Sequence, residues 1–109
     1  MRCRATTVLP VPGPPLTIVS PNGGEVWSRG TPQTIQWNNA AVTGNVTIVL
    51  TKGGVGYSTL ATVPASSGSY NWTPATTLPI EADYKIRIMS VSNPVIMVYS
   101  AANFSIAGP

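Results

Sequence analysis

The chain has 109 residues, one domain's worth, and enough to bury a core without a metal or a disulfide. Its formal net charge is +3. Arg2 and Arg4 supply part of that, and from Pro15 onward four cations face three anions, which is no nucleic-acid footprint. Only 8% of residues are charged, against about 25% in an ordinary soluble domain. Thr and Ser supply 13 and 10 residues instead. A surface of hydroxyls rather than charges suits an extracellular, wall-associated or assembled protein, because charge is what keeps free proteins apart.

Residues 1–15 read as a tail. Pro10, Pro12, Gly13, Pro14 and Pro15 favour an extended, polyproline-like path. They also break any apolar run, so this segment does not read as a signal peptide. Ahead of them Thr6, Thr7, Val8 and Leu9 form a short, uncharged, strand-prone segment. No apolar run approaches the length of a membrane span.

From Leu16 the chain reads as short strands divided by turns. The expected strands are 16–20, 25–27, 33–38, 45–52, 57–63, 69–73, 83–91 and 95–106, the last broken near Ala101. Asn22-Gly23-Gly24, Gly30-Thr31-Pro32, Gly53-Gly54 and Ser66-Ser67-Gly68 are among the dividers. No segment carries helical periodicity. About seven to eight strands in residues 16–109 predict an all-β, immunoglobulin-like antiparallel β-sandwich.

Alternation assigns the inner faces. Ile35 and Trp37 point in. Val46, Ile48 and Leu50 point in, with Thr47 and Thr51 out and Val49 off the pattern. Tyr70 and Trp72 point in, as do Tyr84, Ile86 and Ile88, and Phe104 with Ile106. Leu78-Pro79-Ile80-Glu81-Ala82-Asp83-Tyr84 has the spacing of a tyrosine corner, in which the phenol hydroxyl bonds back to the preceding loop.

The stretch Ser20–Trp37, SPNGGEVWSRGTPQTIQW, looks like a signature. Its glycines mark tight turns. The strand 25–27 is too short to stand alone and is expected to carry the first edge strand from one sheet to the other. With the later GSYNW and DYKIRI, this stretch resembles the immunoglobulin-like domain at the N-terminus of yeast cell-wall β-1,6-glucan assembly (KNH-type) proteins. Related copies occur in Ser/Thr-rich GPI-anchored fungal proteins and in prokaryotic surface proteins. The resemblance runs from about Leu16 to Ile106. It implies a sandwich, an extracellular or cell-surface setting and a non-catalytic role, with no catalytic residues to carry over.

The residues themselves offer little chemistry. Histidine is absent, and Cys3, the one cysteine, lies in the tail without a base to activate it. Glu81 and Asp83 are near in sequence, but three acids in the whole chain make a poor hard-cation cage. No catalytic set, metal or cofactor is expected. Asn45, Asn71 and Asn103 each open an Asn-X-Ser/Thr triplet and are candidate N-glycosylation sites; a polar strand face accounts for the same residues. Trp27 could stack on a sugar ring or close the end of the core, and the core reading is favoured.

Two functions follow. One is a structural cell-surface or filament subunit that self-associates through its tail, with Thr6–Leu9 as a donor strand. The other is a module of a secreted multidomain enzyme that binds cell-wall polysaccharide or spaces its neighbours.

Overall fold

A computed structural model describes residues 16–39 and 42–108. The 1–15 tail, with Thr6–Leu9, lies outside the described residues. Those described form nine strands: β1 (Leu16–Ser20), β2 (Val26–Ser28), β3 (Gln33–Asn39), β4 (Asn45–Lys52), β5 (Val55–Pro64), β6 (Ser69–Trp72), β7 (Glu81–Ser90), β8 (Met97–Tyr99) and β9 (Phe104–Ala107). They make two sheets. The smaller runs β1-β3-β6, and the larger runs β2-β9-β7-β4-β5 with β8 also paired to β7. The fold is an immunoglobulin-like β-sandwich.

The first edge strand does cross between the sheets. β1 pairs antiparallel with β3, while β2 pairs with β9 in the larger sheet. That second pairing is parallel, the one departure from antiparallel pairing among the described strands. The expected 95–106 strand, broken near Ala101, forms as two, β8 and β9: Ser100 still bonds Ile86 of β7, and residues 101–103 then bond Asn22 and Gly24. Gly53 and Gly54 close the β4–β5 hairpin with positive φ at both positions, as a two-residue turn with the twist of its strands requires.

Alternation sets the core. Ile35, Ile48, Leu50, Tyr84, Ile86, Ile88 and Ile106 are fully buried, and Trp37, Trp72 and Phe104 nearly so. Trp27 is only 7% exposed and packs against Phe104 and Trp72, with ring centroids 5.4 and 6.2 Å away. It closes the core rather than offering a sugar platform. Two positions differ from the pattern. Tyr70 points inward but is only half-buried, because β6 is the edge of its sheet. Thr51 is expected to face water yet is 1% exposed. It lies on β4 between β5 and β7, and its hydroxyl donates to the Lys85 carbonyl at 3.0 Å, so burial leaves no polar group unpaired.

Trp37 ties the two sheets together. Its ring sits in the core, and its indole N–H donates to the Ala65 carbonyl at 2.9 Å, in the short 3₁₀ turn Ala65–Ser67 that joins β5 to β6. Trp37→Ala should cost about 3–5 kcal/mol of stability, as large-to-small core substitutions do. Denaturant unfolding measures this, and a loss below about 1 kcal/mol would mean that the β3 register is wrong.

Candidate functional site

The opening stretch holds one acid and one base, Glu25 and Arg29, and both are engaged by the backbone. The Glu25 carboxylate accepts from the N–H of Asn22 and of Gly23, each at 2.8 Å. It thereby satisfies two donors in a tight turn. Arg29 donates from Nη1 to the Leu78 carbonyl at 2.9 Å, and the Gly30 N–H donates to the Pro74 carbonyl at 2.8 Å. One end of the stretch thus grips the 74–79 loop.

The other end grips the break between β8 and β9. Ala101 N–H donates to Asn22 Oδ1 at 2.8 Å, and Ala102 N–H to the Asn22 carbonyl at 3.0 Å. Gly24 N–H donates to the Asn103 carbonyl at 3.0 Å, and Ser105 N–H to the Glu25 carbonyl at 2.8 Å. Gly23 has a φ of +148°, and a Cβ there would come within 2.8 Å of Ala102 Cβ. A side chain would therefore be strained and would wedge the two segments apart.

Beneath this clasp lies Ser100, buried and satisfied on both sides. Its hydroxyl donates to the Pro21 carbonyl at 2.6 Å and accepts from the Ile86 N–H at 3.0 Å. Nothing in Tyr99-Ser100-Ala101 distinguishes a buried bridge from a turn serine.

Tyr84 completes the scaffold. Its hydroxyl donates to the Pro79 carbonyl at 2.6 Å, the loop-closing bond that the Leu78–Tyr84 spacing predicts. Burial raises its pKa above the usual 10, with the nearby Tyr57, Asp83 and Glu81 adding to the rise and Arg29 opposing it.

The remaining acids offer no paired chemistry. Asp83 forms an ion pair with Lys52 at 3.2 Å, and Glu81 is exposed at the start of β7. Among the described residues no three His, Cys, Asp or Glu side chains gather, and no concave pocket forms. Asn45, Asn71 and Asn103 are all exposed, on β4, β6 and the residue before β9. Asn71 also accepts from Thr34 Oγ1 at 3.1 Å through its amide oxygen.

The Kre9/KNH-like N-terminal Ig-like domain matches residues 20–106. The chain belongs to that family. The match begins at the start of the clasp and ends within β9, so it spans the segments that the clasp joins. A solved structure of fibronectin(III)-like modules of Clostridium thermocellum CbhA is similar at a TM-score of 0.46 and 19% identity, over 85% of this chain and 93% of that one. Comparison with curated proteins finds no match.

Two substitutions test the scaffold. Ser100→Ala leaves a buried N–H and a buried carbonyl without their partner and should cost about 1–3 kcal/mol, read from denaturant unfolding. A neutral result would remove Ser100 from the account. Tyr84→Phe should cost about 1–2 kcal/mol with the fold unchanged. Because folding raises the Tyr84 pKa, the hydroxyl's contribution is present in full below about pH 10 and is lost as pH climbs through the raised value. The gap between wild type and Tyr84→Phe should therefore narrow in alkaline unfolding curves; a constant gap would contradict the assignment.

Proposed function

We propose that this chain is a non-enzymatic, extracellular structural domain, a cell-surface or filament subunit that assembles through its N-terminal tail. The observation that carries the structural half is the fate of the signature stretch: Glu25 and Arg29 bind backbone and leave no acid or base free for catalysis there. Membership of the Kre9/KNH-like family, the hydroxyl-rich surface and the low charge support the extracellular setting. Asn45, Asn71 and Asn103 are the proposed N-glycan acceptors on that surface.

The assembling half rests on the open edges of the sandwich and on Thr6–Leu9. A bare strand edge recruits another strand unless it is blunted. A donor strand from one copy to the next is a head-to-tail contact and builds an open polymer rather than a closed dimer.

A second reading has one observation in its favour. Tyr57 and Tyr99 are 49% and 39% exposed, and aromatic rings of that kind can stack on sugar. In that case the chain is a polysaccharide-binding or spacer module of a secreted multidomain enzyme.

Deleting residues 1–14 separates the two. Under the assembly reading the truncated chain stays folded and monomeric, while the full chain polymerises with rising concentration, as seen by light scattering and electron microscopy. Under the module reading both remain monomers, and saturable binding to glucan, chitin or cellulose is lost on Tyr99→Ala.

A further inference from the structure

The sandwich is unequal, and its flanks differ. β5 ends the larger sheet and passes through the Ala65–Ser67 turn straight into β6, which ends the smaller one. Both edges, unpaired among the described residues, therefore lie on one flank. Three core-packed side chains there, Leu60, Val63 and Tyr70, are only partly buried. Neither β5 nor β6 carries a charged residue.

The edges are not equally open. β5 has register shifts opposite Ile48/Val49 and Leu50/Thr51, which skip Leu60 and Tyr57. Such bulges twist an edge away from new partners. β1 is shifted between Ile18 and Ser20. β6 pairs with β3 without interruption, from Gln33↔Trp72 to Gln36↔Ser69. It is the regular edge of the smaller sheet.

Hydrogen-bond phase shows what β6 presents. Trp37 N–H donates to the Gly68 carbonyl at 3.0 Å. Ile35↔Tyr70 and Gln33↔Trp72 stand in the same phase, two and four residues along. Antiparallel alternation then turns the N–H and C=O of Ser69 and Asn71 away from β3, toward the open edge. The close approach of the Thr34 and Asn71 side chains, 3.1 Å, fits a narrow, non-hydrogen-bonded pair.

We infer that the β6 edge, on the flank where Leu60, Val63 and Tyr70 are only partly buried, is the acceptor for Thr6–Leu9 of a second copy of this chain. The inference rests on the assembly reading and adds its receiving surface. β6 is four residues long, and so is Thr6–Leu9 before Pro10 ends its capacity to pair. Both are uncharged. With Leu9 and Thr7 turned to the core side, Leu9 lies beside Tyr70, and Thr6 and Val8 face outward beside Ser69 and Asn71. A second copy is the occupant because the chain's own tail joins β1 at Leu16, across β3 from β6. Reaching back would need a reversal within residues 10–15, four of which are proline. A proline-rich sequence of that kind is stiff and resists such a reversal.

The test is disulfide trapping between full-length chains in which Cys3 is replaced by Ser. Donor chains carry Thr6→Cys, Thr7→Cys or Val8→Cys. Acceptor chains, distinguished by a mass tag, carry Ser69→Cys, Asn71→Cys or, as controls on the β5 edge, Thr59→Cys or Thr62→Cys. Pairs are mixed under mild oxidation and read on non-reducing gels. The expected result is donor–acceptor dimers with Ser69→Cys or Asn71→Cys, from Thr6→Cys and Val8→Cys but not from Thr7→Cys. Asn71→Pro, which removes an edge N–H and leaves the β3–β6 backbone bonds intact, should raise the concentration needed for assembly by about tenfold or more; Asn71→Ala, which loses the same side-chain bond to Thr34 but keeps the N–H, should not. Polymers that form with links only to Thr59→Cys or Thr62→Cys, or with no parity in the donor, would overturn the β6 assignment and leave the assembly reading standing. Links found only within one chain carrying both cysteines would also overturn it, with the chain's own tail as occupant. A full-length protein that stays monomeric at every concentration would overturn both.

Discussion

The Ser100 hydroxyl holds three distant segments at one buried point: the Pro21 carbonyl ahead of the crossing, the Ile86 N–H in the middle of β7, and its own place between β8 and β9. Much of the architecture depends on that junction. An unbroken last strand would have paired along β7 to its end. The break instead turns residues 101–103 toward Asn22 and Gly24 and sets β9 beside β2, where the parallel pairing forms. Trp27 then comes down onto Phe104 and Trp72 and closes that end of the core.

This arrangement explains how a stretch with one acid and one base comes to serve as scaffold. Three acids and four cations serve the whole body of the chain from Pro15 onward, so each ion is conspicuous. Glu25 lies where a turn leaves two N–H groups without carbonyl partners, and a carboxylate meets both at once. Arg29 lies where a loop carbonyl needs a donor. In this stretch charge fixes backbone, and elsewhere the surface is mostly hydroxyls and amides. Such a surface does not repel a second copy, and the same economy leaves β6 uncharged at its open edge.

How much of this is legible in the sequence follows from the range of the forces involved. Alternation is local, so the inward faces of β3, β4, β7 and β9 can be read directly. The Tyr84–Pro79 bond spans five residues and can be read from spacing. The crossing of the first edge strand is legible because a three-residue strand between glycine turns has no other stable use. The clasp is not legible. Its bonds join residues 79 apart, and neither Ser100 nor Asn22 differs locally from any turn residue. The burial of Thr51 depends on its neighbours in the sheet rather than on its own periodicity. The regularity of β6 against the bulges of β5 is likewise a property of pairing, which single-strand patterns do not carry.

The central claim is that the signature stretch is part of the folded frame and not a mobile site loop. Native-state hydrogen exchange tests it most directly, at the amides of Gly24, Ile86 and Ser105, each of which donates within the clasp. These amides should exchange only through global unfolding, within about tenfold of the rates at Ile48 and Ile88 in the central strands. Exchange at Gly24 and Ser105 that is faster by orders of magnitude, with the central strands still protected, would show a stretch that opens independently and would contradict the account.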